Sequence, residues 1–409
     1  MKNIKHIKIL SKSFKLGDLQ VFSRLQKVEI NRVNLVDVSP LSNLIQLQLL
    51  NLDDNQVTDI SPLYNLTNLL GLSVNSNLLS NVESLHCLPN LLALYMNNNS
   101  LTEIMFVSTC KKLWILDLGN NKIRDISPIS SLTELEELSI NSNQISDISH
   151  LAHLSNLCCL DIRFNKIFNI SSLAELKKLD IIYFHNNLLS NISALSSSVS
   201  LTVVYLCRNQ LVDLSPLAQA TNLTELFATF NHIIDITTLS TAFNLRTLSL
   251  GFNQIRDISP LSGLINLETL CLNNNLISNI TCLSTLHNLN TLDLSNNQIC
   301  KIPSILQLTK LKSLDLQNNR IRILYSLSDV TNLESLDLKN NQIHDIVPLC
   351  YLTNLHTLNL ADNCILKVDS LYTLTKLEHL NIEDNMIADF SPLLGLPKLK
   401  NFQFDLRRK

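Results

Sequence analysis

Glycine is scarce in this sequence, with six residues among 409, which argues against loops that wrap phosphate groups. No apolar run reaches ~18 residues, so no membrane-spanning helix is expected. The formal net charge of −3 provides no electrostatic basis for binding nucleic acid or an anionic membrane surface. The composition therefore predicts neither a nucleotide site nor a nucleic-acid or membrane partner.

The motifs of common catalytic sites are missing as well. The sequence has no HExxH, GxSxG or Walker motif, and its ten histidines are scattered. An enzyme needs a nucleophile, a base or a metal held in a pocket, and no such set is visible here. We therefore expect no enzymatic activity, no cofactor and no metal site.

What the sequence does contain is a fixed period of 22 residues. Sixteen asparagines follow one another in phase from Asn55 to Asn385, a span of 330 residues, with no insertion or deletion between them. A period of this length is typical of a repeat array, in which each unit packs only on its neighbours. The phase begins at Leu25, so we expect residues 25–409 to form one solenoid of about 17 repeats and residues 1–24 to form a divergent N-terminal cap.

Each repeat can be described by position relative to its asparagine, which is position 0. Apolar residues stand at −8, −5, −3, +2, +5, +8 and +11. The alternation around −5 and −3 predicts a short strand from −6 to −2, with −5 and −3 facing the core and −6, −4 and −2 facing outward. The asparagine amide is expected to satisfy backbone groups within the turn.

The second half of many repeats reads D-I-S-P-L, as in Asp59–Leu63 and Asp257–Leu261. Asp and Ser form local bonds with the backbone, and Pro favours an extended or 3-10 turn. In the last repeat, Phe402 and Phe404 occupy the inward strand positions of 401–405. We expect them either to form a small cap or to precede a missing C-terminal segment.

This pattern, L-x-x-L-x-L-x-x-N-x-L with a D-I-S-P-L return, resembles leucine-rich repeats of the SDS22-like class over residues 25–406. That class includes the regulator of protein phosphatase 1 and the internalin repeats of bacterial surface proteins. The resemblance implies an α/β solenoid of horseshoe shape. A parallel sheet would line its concave face, with short 3-10 or extended segments on the convex face.

The ten cysteines are predicted to be free, reduced thiols. None forms a CxxC pair, and no two adjacent repeats carry a cysteine at the same position. The basic N-terminal stretch is interrupted by Lys5, Lys8 and Lys12 before any long apolar run, so it is a poor signal peptide. We therefore expect a cytoplasmic or nuclear protein that is a monomer by itself.

The outward strand positions indicate where a protein partner would dock, because most of them carry Ser, Thr, Asn or Asp. The exceptions are aromatic, basic or histidine residues in the middle repeats: Tyr183, Tyr205 and Phe227 at −4, Arg163 and His185 at −2, and Phe164, Arg208, Phe230 and Phe252 at −1. Exposed aromatics with arginine are typical of interface hot spots. The alternative is that the −4 side chains only stack across strands and the −1 aromatics fold into the turn. His185 alone also fits an ordinary surface histidine, and Tyr95 is interpreted as incidental.

Three aspartates at −4 of successive repeats, Asp293, Asp315 and Asp337, predict a row of carboxylates about 4.8 Å apart. Such a row could attract Lys or Arg of a partner, or loosely a metal ion. The alternative is a solvated acidic face relieved by Lys339. The row lacks the ~6 or more oxygens that calcium prefers.

The resemblance implies two functions. The first is a non-catalytic scaffold that binds a protein on its concave face, with a protein phosphatase catalytic subunit as the partner of an SDS22-like regulator. The second is an internalin-like surface adhesion protein. The aromatic positions and the three aspartates are the candidate partner-binding residues in both cases.

Overall fold

The computed structural model describes residues 4–11, 16–22 and 24–405. The chain comprises two compact units, Met1–Leu201 (unit 1) and Thr202–Lys409 (unit 2). Each unit is a leucine-rich repeat solenoid that alternates a short strand, a turn and a return segment, and most returns contain a 3-10 helix. The repeat phase is the one that the sequence predicts.

Unit 1 contains nine strands and nine 3-10 helices within its described residues. The strands are β1 (His6–Ile9), β2 (Lys27–Ile30), β3 (Leu49–Asn51), β4 (Gly71–Ser73), β5 (Ala93–Tyr95), β6 (Ile115–Asp117), β7 (Glu137–Ser139), β8 (Cys159–Asp161) and β9 (Ile181–Tyr183). The 3-10 helices are η1 (Leu16–Val21), η2 (Ser39–Leu41), η3 (Ser61–Leu63), η4 (Glu83–Cys87), η5 (Met105–Thr109), η6 (Ser127–Ser131), η7 (Ser149–Leu151), η8 (Ser171–Leu173) and η9 (Ser193–Leu195).

Unit 2 has the same organisation, with ten strands and eight 3-10 helices in the part up to residue 405. Its strands are β10 (Val203–Tyr205), β11 (Glu225–Phe227), β12 (Thr247–Ser249), β13 (Thr269–Cys271), β14 (Thr291–Asp293), β15 (Ser313–Asp315), β16 (Ser335–Asp337), β17 (Thr357–Asn359), β18 (His379–Asn381) and β19 (Asn401–Gln403). The 3-10 helices are η10 (Ser215–Gln219), η11 (Thr237–Thr241), η12 (Ser259–Gly263), η13 (Thr281–Thr285), η14 (Tyr325–Leu327), η15 (Val347–Tyr351), η16 (Asp369–Thr373) and η17 (Ser391–Gly395).

Within each unit, neighbouring strands are parallel and each residue pairs with the residue 22 positions later. Leu50 is thus opposite Leu72 in unit 1, and Leu314 is opposite Leu336 in unit 2. The first strand differs, because Ile7 pairs with Val28 at an offset of 21. The divergent N-terminal segment therefore extends the sheet of unit 1 with a shift of one residue.

The core of each unit is formed by the predicted apolar positions. In the repeat of Asn341 the seven inward residues Leu333, Leu336, Leu338, Ile343, Ile346, Leu349 and Leu352 are at most 3% exposed. Burying a leucine side chain fully is worth ~1.5–3 kcal/mol. Leucines of one repeat are covered by those of the next, so the repeats are stable only as a stack.

The asparagine at position 0 links consecutive repeats through hydrogen bonds, as predicted. The Nδ2 group of Asn341 donates to the carbonyls of Leu338 and Lys339 in its own turn and to that of Leu316 in the previous repeat, at 3.0–3.2 Å. Its Oδ1 accepts the N–H of Ile321 at 2.9 Å. These bonds satisfy backbone groups that water cannot reach, which explains why the position keeps asparagine.

The return segment also follows its sequence. In the repeat of Asn253, Oδ1 of Asp257 accepts the N–H of Ser259 at 2.8 Å, and Oδ2 accepts its hydroxyl at 2.9 Å. Pro260 then stands in the first turn of η12, where its fixed φ suits the helix. The D-I-S-P-L motif is therefore a turn device of the scaffold.

The last described strand departs from the expectation for Phe402 and Phe404. Phe402 is half-buried, but Phe404 follows the end of β19 and is 38% exposed, so its inward assignment is wrong. The two rings stack with centroids 4.5 Å apart, and Phe390 lies 5.1 Å from the ring of Phe404. The three rings form a small aromatic cluster at the edge of the sheet in unit 2.

Candidate protein-binding site

The residue at position −1 of each turn has a left-handed backbone conformation. In the sixteen repeats from Asn55 to Asn385, φ at this position lies between 49° and 57°. Asn, Asp or Ser occupies twelve of these positions, and Asn and Asp tolerate this conformation better than other non-glycine residues do. The four remaining positions hold Phe164, Arg208, Phe230 and Phe252, where a bulky side chain is unfavourable.

These four side chains do not fold into the turn. Phe164, Phe230 and Phe252 are 51%, 39% and 41% exposed, and Arg208 is exposed as well. The alternative that the −1 aromatics are hidden in the turn is therefore wrong. Large side chains occupy a strained backbone position and remain in contact with solvent, and grouped apolar exposure of this kind marks interaction surfaces.

In unit 2, five of the predicted residues form two stacks, which we call the unit 2 patch: Tyr205, Arg208, Phe227, Phe230 and Phe252. The rings of Tyr205 and Phe227 are parallel within 10°, with centroids 4.4 Å apart. Phe230 stacks on Phe252 at 4.0 Å, and the Arg208 guanidinium carbon lies 4.4 Å from the Phe230 centroid. Cross-strand stacking thus organises the side chains and leaves the −1 group exposed.

In unit 1 the predicted residues form a more polar group. The Nε of Arg163 contacts Oδ2 of Asp161 at 3.1 Å, and its guanidinium carbon lies 5.9 Å from the Tyr183 ring. Phe164 meets His185 edge-on at 5.5 Å. Burial, reinforced by the positive charge of Arg163, lowers the pKa of His185 below its usual range. The cluster expected around Tyr183, Tyr205 and Phe227 is therefore divided by residue number between the two units.

The acidic ladder of Asp293, Asp315 and Asp337 is present, because these residues are directly opposite one another on β14, β15 and β16. Each carboxylate accepts the N–H of the residue two positions later, at 2.8–2.9 Å, and so supports its own turn. Burial, together with the charges of its two neighbours, raises the pKa of Asp315 to about 6.

Lys339 does not relieve the acidic ladder as the alternative assumed. Its amine lies 3.5 Å from Asp362, and only its backbone N–H meets Asp337. None of the ion pairs among the described residues includes a carboxylate of the ladder. The described ranges also contain no group of three or more His, Cys, Asp or Glu placed to hold a metal ion.

Sequence reasoning missed Asp161, which faces outward on β8 yet is only 9% exposed. Burial raises its pKa to about 6, although Arg163 and the amide of Asn141 oppose the shift. The available signal was an aspartate at −4 followed two residues later by Arg163, since residues two apart on a strand share a face.

A second missed feature is an apolar hollow of about 270 Å³ on the outward face of β2–β5. Small residues at −6, Gly71 and Ala93, leave room between Leu49 and Tyr95. Burial raises the pKa of Tyr95. Its interpretation as an incidental aromatic was wrong in structural terms, because Tyr95 is one wall of this hollow. In the residues described, no helix has the length and apolar character needed to cross a bilayer.

Comparison with family models matches leucine-rich repeat models at residues 111–153, 244–286, 331–373 and 353–395, and at 288–308. Comparison with curated proteins found no match. Among solved structures, the internalin InlF of Listeria monocytogenes is 30% identical over 76% of this chain and 85% of its own, with a TM-score of 0.67.

Two further solved structures are similar over most of the chain. A leucine-rich repeat protein of Leptospira interrogans is 26% identical over 88% of this chain and 90% of its own, with a TM-score of 0.71. The functional domain of internalin InlJ from Listeria monocytogenes is 25% identical over 82% and 73%, with a TM-score of 0.73, and is described as including a cysteine ladder. The ten cysteines of the present chain are all free. Its repeat register, its asparagine bonds and these similarities together show that the chain belongs to the leucine-rich repeat proteins.

Proposed function

We propose that this protein is a non-catalytic scaffold that binds a protein partner through the outward strand face of unit 2. The observation that carries the proposal is the unit 2 patch. Arg208, Phe230 and Phe252 hold a backbone conformation that disfavours their side chains, and they are exposed. Aromatic and arginine side chains in such positions are typical of interface hot spots.

The proposal is tested by affinity capture with the double variant Tyr205→Ala/Phe227→Ala. We expect the variant to lose at least one protein that the wild type retains, because the stacked rings offer most of the apolar contact area. The matched control is Ser313→Ala/Ser335→Ala, which alters outward side chains on β15 and β16 and should keep every partner. Identical capture by all three proteins, measured by quantitative mass spectrometry, would refute the placement.

We further propose, from the 22-residue D-I-S-P-L repeat, that the partner is the catalytic subunit of a protein phosphatase and that the protein acts as a cytoplasmic or nuclear monomer. Titration with purified protein phosphatase 1 catalytic subunit tests the first point, and no heat or mobility change at ~10 μM would reject it. Sedimentation and cell fractionation test the monomer and the location.

An internalin-like surface adhesion protein is the second candidate function. The 30% identity to InlF over 76% of this chain supports it. Protease treatment of intact cells separates the two functions. Loss of the protein from intact cells would favour the adhesion protein, and full protection would favour the intracellular scaffold.

A further inference from the structure

Arg208 is a cation that lacks a carboxylate partner within the described residues. None of the ion pairs formed there includes it, whereas Arg163 is paired with Asp161 at 3.1 Å. Arg208 instead stacks on Phe230, and its neighbours on the same face, Thr229, Ser249 and Gly251, are neutral. A stacked guanidinium keeps its planar set of N–H donors available, and these donors match a carboxylate.

The other side of the same face carries the opposite charge. The acidic ladder crosses β14, β15 and β16, and no Lys or Arg side chain among the described residues pairs with it. Asp315 is at its centre. Arg208 follows β10, so five strand spacings of ~4.8 Å, about 24 Å in all, separate the strand of the cation from that of Asp315.

Between the two charges, the surface is aromatic near Arg208 and then neutral. Tyr205 and Phe227 occupy β10 and β11, followed by Ser249 and Cys271 on β12 and β13. A partner running across the strands would therefore meet a cation, aromatic rings, a neutral stretch and carboxylates in that order. Complementary charges of this kind set orientation and exclude wrong partners.

We propose that unit 2 binds an extended partner segment of opposite polarity, with a carboxylate at Arg208, an aromatic or aliphatic side chain against Tyr205 and Phe227, and a Lys or Arg at the acidic ladder. This inference rests on the proposed function of the strand face. An extended chain advances ~3.3 Å per residue, so the acidic and basic residues of the segment are about seven positions apart.

The test uses two labelled peptides of ten residues whose spacers are Ser and Ala. The first has Glu and Phe near its N-terminus and Arg seven positions later, and the second has the two charges exchanged. We expect the wild type to bind the first at least ~10-fold more tightly in fluorescence anisotropy, with the preference weakened by salt. Equal binding, or no measurable binding of either peptide, would overturn the proposal.

A charge reversal provides the specific check. Arg208→Glu should lose the preference, and a first peptide in which Glu is replaced by Lys should regain at least ~10-fold in affinity for this variant only. The matched control is Arg256→Glu, the same change at an exposed residue of a return segment, which should behave like the wild type. Rescue of both variants, or of neither, would contradict the assigned position of the carboxylate.

The two proposals fail in different ways. If neither peptide binds but Tyr205→Ala/Phe227→Ala still abolishes capture of a protein, the strand face remains the binding site and only the segment chemistry is wrong. If capture is unchanged as well, the proposed function itself is wrong.

Discussion

The guanidinium carbon of Arg208 lies 4.4 Å from the centroid of the Phe230 ring, and both residues have φ near 55°. The repeat places asparagine, aspartate or serine at most equivalent positions. Arg208 and Phe230 therefore occupy scaffold positions without suiting the scaffold, which is the pattern expected where local stability yields to binding.

Replacing Phe164 by Asn should stabilise the protein. Phe164 has φ of 54° and is 51% exposed, and its main ring contact is an edge with His185. Relief of ~1–2 kcal/mol of backbone cost should exceed the loss of ~0.5–1 kcal/mol from that contact. We expect a higher urea midpoint. Phe168→Asn is the control, since Phe168 is 62% exposed without a positive φ, and equal effects of both changes would contradict the explanation.

Asp315→Asn should change how stability depends on pH. The pKa of Asp315 is about 6 in the folded chain, above its ordinary value of 3.8. Its contribution to stability is therefore present at low pH and lost as pH rises through about 6. Relative to the variant, the wild type should lose ~1–2 kcal/mol between about pH 4 and pH 7, a value reduced for partial exposure.

Urea unfolding at the two pH values measures this difference for Asp315. Asp345→Asn removes one negative charge on the return side and controls for the change in net charge. If the wild type and Asp315→Asn show parallel pH profiles, the carboxylates of the acidic ladder do not interact as the structure indicates.

Asn341→Ala should destabilise the protein strongly. The substitution leaves the carbonyls of Leu316, Leu338 and Lys339 and the N–H of Ile321 without their amide partner. Unsatisfied buried groups cost ~1–3 kcal/mol each, so we expect a total of ~3 kcal/mol or more in urea unfolding. Asn340→Ala removes an exposed bond to Asn318 and should cost ~1 kcal/mol or less. Similar losses would exclude the asparagine ladder as a main stabilising element.

Gly119→Ala should also destabilise unit 1, for a steric reason. A Cβ at Gly119 would lie 2.5 Å from the Asn97 amide nitrogen and 2.6 Å from that of Asn141. Moving both amides should cost ~1–2 kcal/mol. Gly395→Ala meets nothing within 4 Å and should be neutral or stabilise by up to ~1 kcal/mol, so thermal unfolding of the two variants should differ in direction.

The sequence by itself determined the repeat, the strand face and the core of this protein. The inward leucines, the asparagine at position 0 and the Asp–Ser–Pro return act through neighbours 22 residues away or closer, so a fixed period is enough to place them. The same reasoning located the outward aromatics and the acidic ladder, because alternation along a strand assigns each residue to one face.

Only the tertiary structure decided how outward side chains meet. Arg163 pairs with Asp161 whereas Arg208 stacks on Phe230, and Lys339 turns to Asp362 and away from the ladder. The hollow beside Tyr95 depends on the small side chains of Gly71 and Ala93 on adjacent strands. Rotamers, burial and the partners of long side chains depend on packing across repeats, and the period of the sequence contains no information about these interactions.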